Sequence, residues 1–288
     1  MLKSSSKGAI IMKIKILLLT ILATVQLFAV TQKSMEHYVK EYVEKKTNSP
    51  VEHIETISSY LIEGTGGWRV YFLSLNVKMK ISKQYKTKKV NQIAFTKGNR
   101  ITFSLKDTTG KNYAKILKPK VPKEAYDKKH LLVGNANAKH KILVMSDPFC
   151  PYCQEIVPVL IDDVKAHPET FALYYYHLPL LRIHPASDVT TRAMHLFQEH
   201  GEIDNLKACY HLLVSEKERN PQVVLNAIKT KTGVSLTLKE INAPAISKAL
   251  AFDKAMKKRL MVTGTPTIFI DDEWDPTRFK YKDYLPKK

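Results

Sequence analysis

Residues 141–153 read Lys-Ile-Leu-Val-Met-Ser-Asp-Pro-Phe-Cys-Pro-Tyr-Cys. Lys141–Ser146 has the apolar run of a buried strand, Asp147-Pro148 is a turn dipeptide, and a helix is predicted from about Cys150 to Ala166. A Cys-x-x-Cys pair straight after a strand and at the start of a helix has a specific use. The backbone N–H groups that open a helix have no partners within it, and with the helix dipole they favour an anion at Cys150. A thiol placed there ionises near neutral pH and becomes a nucleophile towards disulfide sulfur. Pro151 suits the first turn, where its missing N–H is not wanted. Cys153 lies one turn further in, placed to resolve a mixed disulfide by attacking Cys150.

A static disulfide and half of a zinc site are the competing readings. Zinc needs a second ligand pair, and none of the ten His stands at a suitable spacing to Cys209, the third and last cysteine. Metal is therefore not expected, and two sulfurs need no cofactor. Leu206–Val214 reads as an apolar helix face, which favours Cys209 as a small buried hydrophobe over a reactive thiol. His177, His184 and Pro185 flank a loop after the next strand, where a packing or solvated role is the simpler reading.

Gly264-Thr265-Pro266-Thr267 opens a late apolar strand. A proline donates nothing to a ladder, so its place there makes sense as a cis Thr265–Pro266 turn facing the cysteines. The Thr265 main chain is then free to pair with an extended polypeptide.

Outward from these motifs, Phe171–His177 and Thr267–Ile270 read as strands. Ser187–His200, Leu206–Lys231 and Ala245–Leu260 read as helices, Asp271–Glu273 as a hairpin tip, and Arg278–Tyr281 as a strand folding back. Towards the amino terminus, Ser34–Lys46 is an amphipathic helix with Ser34 as cap and Met35, Tyr38, Val39, Tyr42 and Val43 on one stripe. Val51–Ile62, Trp68–Met79 and Gln92–Leu105 are strand-like, separated by glycines, by a lysine-rich stretch and by Lys97-Gly98-Asn99. Lys118–Lys129, with two prolines and several lysines, reads as an exposed linker.

Hydrophobic residues make up 44% and charged residues 25% of the 288, which excludes wholesale disorder. The net charge of +19 is uneven: residues 30–130 carry +12 and residues 131–288 only +3. The lysines at 78, 80, 83, 86, 88 and 89 lack interleaved stacking aromatics, so a solvated or anion-facing surface is favoured over nucleic-acid binding. Lys13 and Lys15 precede the apolar run Ile16–Val25, which is followed by Leu27-Phe28-Ala29. That pattern predicts a signal peptide over 1–29, cut after Ala29, with Met12 as an alternative start. Export places the cysteines where disulfides persist.

SDPFCPYC and TGTPTIFI together resemble the thioredoxin-fold thiol:disulfide interchange proteins. With export and a small leading domain, the chain is similar to the DsbC/DsbG family of periplasmic isomerases and reductases, DPFCPYC being most like the DsbG branch. The resemblance implies an α/β thioredoxin-like fold with a helical insertion over residues 131–288. It implies a small α+β, cystatin-like dimerisation domain over 30–117, joined by a linker at 118–130. It makes Cys150 the nucleophile and Cys153 the resolving thiol, with Pro151, Tyr152, Thr265 and Pro266 shaping a substrate groove. The implied partners are unfolded or misoxidised exported proteins, a membrane thiol-redox protein and a second copy of the chain. A disulfide-forming oxidase, a dimeric holdase with secondary redox activity and thiolate transfer of Cu(I) are the alternatives that the same residues leave open. The short segment after Tyr281 departs from the family's pattern, since it leaves no room for a long closing helix.

Overall fold

The computed structural model describes residues 30–82 and 84–286, in two units that divide between Leu117 and Lys118. The expected signal peptide and its cleavage point lie outside the described residues. Among the described residues no helix is long and apolar enough to cross a membrane.

In the first unit the helix runs Gln32–Thr47, and its cap is Thr31 rather than Ser34, because the Thr31 hydroxyl accepts the Ser34 N–H at 3.2 Å. Met35, Val39 and Val43 face the core, one helical turn apart, while Tyr38 and Tyr42 lie outside and stack on Phe103. The sheet is antiparallel in the order β1 (Val51–Leu61), β2 (Arg69–Ile81), β3 (Gln84–Lys97), β4 (Arg100–Thr102). The lysine-rich stretch, expected to interrupt the strands, continues them. β2 and β3 stay paired from Arg69↔Thr96 to Ile81↔Gln84, well past the Val51↔Val77 end of β1. A ladder is made by backbone groups, so side chains that are all exposed over residues 84–91 do not end it.

In the second unit five strands are ordered β5 (Leu131–Gly134), β7 (Phe171–His177), β6 (His140–Ser146), β8 (Thr267–Ile270), β9 (Glu273–Asp275). β6 and β7 are parallel and the other neighbours antiparallel. Both faces are buried, and period-two alternation divides the side chains between two cores. Ile142, Val144, Leu173, Tyr175, Ile268 and Ile270 face the Pro151–Ala166 helix. Leu143, Met145, Tyr174, Tyr176 and Phe269 face Met256 and Leu260, near the end of the Pro244–Arg259 helix. Gly134 has φ +87, and a side chain there would meet the Phe171 carbonyl oxygen at 2.1 Å, so only glycine lets β5 lie against β7.

Three expectations are corrected here. The stretch read as an exposed linker packs onto the second unit: Val121 and Ala125 are buried, and the Tyr176 hydroxyl donates to the Ala125 carbonyl at 2.8 Å. Leu206–Lys231 is not one helix. A helix over Ile203–Ala208 passes into a 3-10 turn, Cys209–His211, and a new helix begins at Pro221 with Asn220 as cap. Proline at the first position of that helix starts it and cannot continue an earlier one. The strand folding back on β8 is Glu273–Asp275, and Asp271 and Asp272, both at positive φ, form its turn, while residues 280–284 form a 3-10 turn.

Candidate active site

Cys150 is the N-cap of the Pro151–Ala166 helix, and its carbonyl accepts the N–H groups of Cys153 at 2.9 Å and Gln154 at 3.0 Å. Pro151 occupies the first turn, as its missing donor requires. Cys150 is 6% exposed and Cys153 fully buried, while Tyr152 projects outward, 58% exposed, with the Arg278 guanidinium 5.2 Å from its ring centre. Tyr152 thus lies at the surface and Cys153 is closed off from solvent.

Thr265 and Pro266, far downstream, meet this turn. Their peptide bond is cis, and the Cys150 thiol donates to the Thr265 carbonyl at 3.4 Å. The Thr265 hydroxyl is buried and makes no hydrogen bond while Cys150 keeps its proton. When Cys150 ionises, its sulfur no longer has a proton for the carbonyl, and donors are what it needs. The Cys153 thiol is the foremost of these. Burial opposes ionisation, and the Thr265 hydroxyl with the backbone N–H groups of Cys153 and Tyr152 offsets it, bringing the Cys150 pKa down to about 5. Burial, together with its hydrogen bond to Cys150, holds the Cys153 thiol well above its ordinary value. One sulfur is therefore a thiolate at neutral pH and the other its proton-bearing partner. Cys209, 1% exposed, is pushed up to about 12 by burial alone, as suits a packed hydrophobe. Among the described residues no group of three His, Cys, Asp or Glu is placed to hold a metal.

Asp147 is a structural determinant of the site that its sequence setting, a simple Asp-Pro turn, does not reveal. It is 0% exposed. Its Oδ1 accepts from the Phe149 N–H at 2.8 Å, from His184 Nδ1 at 3.0 Å and from the Ser187 hydroxyl at 3.1 Å; its Oδ2 accepts the Leu180 N–H at 2.5 Å. The loop after β7 is thereby bound to the turn that carries Cys150. Of the two histidines flanking that loop, His184 joins the site's framework, while His177 turns away to Gln198.

A family model described as Thioredoxin matches residues 126–283, more than half of the chain. The chain belongs to the thioredoxin family. Similar solved structures include a thioredoxin-like oxidoreductase from Silicibacter pomeroyi at 22% identity, covering 55% of this chain and 95% of that one with a TM-score of 0.45. BdbD from Bacillus subtilis is 12% identical, with 58% and 93% covered and a TM-score of 0.46. The catalytic domain of Proteus mirabilis ScsC is 19% identical, with 52% and 82% covered and a TM-score of 0.42. A search of the curated proteins finds no match. Within this thioredoxin-family unit, the two thiols, the Thr265–Pro266 turn and the loop bound by Asp147 are gathered at the start of one helix.

Proposed function

We propose that the protein is an exported thiol:disulfide oxidoreductase acting on protein disulfides, with Cys150 as nucleophile and Cys153 as resolving thiol. The observation that carries this is the Cys150 thiol at a helix start, 3.4 Å from the Thr265 carbonyl, with Cys153 buried in the helix's first turn; donors around Cys150 favour its thiolate and burial keeps Cys153 a thiol. Cys150 thiolate attacks a substrate disulfide, joins one substrate sulfur and releases the other. Cys153 then displaces the substrate from Cys150. Tyr152, Pro151, Thr265 and Pro266 form the contact surface, the Thr265 main chain offering a strand-like edge to an extended client.

The direction is isomerisation or reduction, by the likeness of DPFCPYC and the small leading domain to the DsbC/DsbG family. In that reading residues 30–117 pair two copies, the chain works in the periplasm after loss of residues 1–29, and a membrane thiol-redox protein restores Cys150 and Cys153. Incubating the reduced protein with a scrambled multi-disulfide substrate tests this. Wild type restores native pairing and Cys150→Ser does not; equal recovery with both proteins leaves a holdase as the better description.

An oxidase is the second reading, favoured by the low Cys150 pKa, because stabilising the thiolate stabilises the reduced form and makes the disulfide more oxidising. Titration of the Cys150–Cys153 couple against glutathione separates the two: an oxidising potential with rapid reoxidation supports the oxidase, and a reducing one the isomerase or reductase.

A further inference from the structure

Behind Cys153 lies a row of buried hydroxyls. Ser146 Oγ is 2.5 Å from the Tyr210 hydroxyl oxygen, which is 2.6 Å from that of Tyr175. All three residues are 0% exposed and come from β6, the Cys209–His211 turn and β7. The Ser146 hydroxyl and the Asp147 backbone favour the Cys153 thiolate, against the burial that favours the thiol. Each hydroxyl has one proton to give. If Tyr175 donates to Tyr210 and Tyr210 to Ser146, the Ser146 proton is left for sulfur. Tyr175 is sealed from water, so the row orients donors and offers no proton exit.

Such an array has a use at one moment of the reaction. In the reduced protein the Cys153 thiol donates to the Cys150 thiolate. Once Cys150 is bonded to a substrate sulfur that charge is gone, and Cys153 has to become the anion in a fully buried place. A buried anion without donors is costly, and hydrogen bonds to charge are the stronger kind.

The geometry points to Ser146, Tyr210 and Tyr175 as a donor chain that holds the Cys153 thiolate while the mixed disulfide is released. Ser146 is the member of the row that acts on the reacting sulfur, and the two tyrosines are positioning residues that turn its proton towards Cys153. This rests on the exchange reading above. In the step, the Cys153–Cys150 bond forms as the bond from Cys150 to the substrate sulfur breaks. The substrate sulfur leaves with the electron pair and takes up a proton, Cys153 having lost one. The two cysteines are oxidised, the substrate is reduced, and no further reactant is needed.

Full-length reduced protein mixed with dithiobis-nitrobenzoate gives two coloured releases. The first reads attack by Cys150 and the second reads attack by Cys153. Tyr210→Phe keeps the ring and removes the middle hydroxyl. It is expected to slow the second release on the order of tenfold, the scale of one hydrogen bond to charge, and to move its pH profile upward. The first release stays unchanged. Tyr175→Phe, which leaves Ser146 and Tyr210 in contact, moves the second release the same way by a smaller factor, and Ser146→Ala by the largest. A second release unchanged in these variants, or both releases slowed alike, overturns the donor chain. If wild type itself lacks a second release, the pairing of Cys150 with Cys153 fails instead.

Discussion

The Cys150 sulfur stands 3.4 Å from the carbonyl oxygen of Thr265, so two turns separated by 115 positions of sequence share one edge. A carbonyl so close favours the thiol, yet the thiolate is the form that reacts. The balance is set by donors, namely the Cys153 thiol, the Thr265 hydroxyl and the first N–H groups of the helix.

Because those donors bring Cys150 down to about 5, its alkylation rate should rise through that pH and level off below neutrality. The sign follows from a lowered pKa: thiolate is present above it and lost below. Cys209, at about 12, should stay unlabelled in the folded protein. Mapping the label by mass after brief iodoacetamide treatment at mildly acid pH checks both. Labelling of Cys209 first contradicts the assignment of Cys150.

Thr265→Val keeps the shape and removes one donor to the thiolate. The Cys150 pKa should rise, and the thiolate population at acid pH should fall by about tenfold or more, since a hydrogen bond to charge is worth roughly 1.5–3 kcal/mol. The couple should become more reducing as its reduced form loses support. An unchanged alkylation profile would show that the buried hydroxyl does not reach the sulfur.

Asp147→Ala leaves the N–H groups of Phe149 and Leu180, the His184 ring and the Ser187 hydroxyl without their acceptor. Removing one member of a buried polar cluster of this kind costs about 3–5 kcal/mol. Urea unfolding followed by far-ultraviolet circular dichroism should show a midpoint shift of that order. A loss below about 1 kcal/mol, the worth of one ordinary hydrogen bond, would mean that the loop is held by packing instead.

Much of this site was legible because its signals are local. The strand, Cys150, Pro151, Cys153 and the proline at 266 each announce themselves within a few residues. Asp147 does not, because its partners Leu180 and Ser187 stand 33 and 40 positions away and only the folded loop brings them in. Tyr175 and Tyr210 look like any core aromatics until the alternation of β7 and the turn at Cys209 place their hydroxyls together. The lysine-rich hairpin escapes the sequence for a different reason: residues 84–91 are all exposed, with no buried face to leave a pattern. Lys118–Lys129 reads as a linker because its buried residues, Pro119, Val121 and Ala125, are outnumbered by its five lysines.

That same segment ends on a charge cluster with a testable pH signature. His130 Nδ1 is 2.8 Å from Asp127 and Nε2 2.9 Å from Asp253, and the ring stacks on Tyr176 at 4.0 Å. Burial alone would lower its pKa, but hydrogen bonds and charge from Asp253 and Asp127 outweigh it, and the value is raised above the ordinary 6.5. A histidine raised on folding contributes stability that is complete below its unfolded pKa and is lost as pH rises through the folded one. Wild type should therefore exceed His130→Gln in unfolding free energy most at mildly acid pH, with the gap closing towards alkaline pH. His177 and His195 work in the opposite sense. Burial lowers both, the His130 charge adds to it, and their contribution is lost as pH falls. Removing His130 relieves them slightly and narrows the acid gap without reversing it, since burial is their first cause. Thermal unfolding of both proteins across the mildly acid to alkaline range measures the difference directly. A gap that widens with rising pH would show that His130 sits between the two carboxylates as a neutral ring.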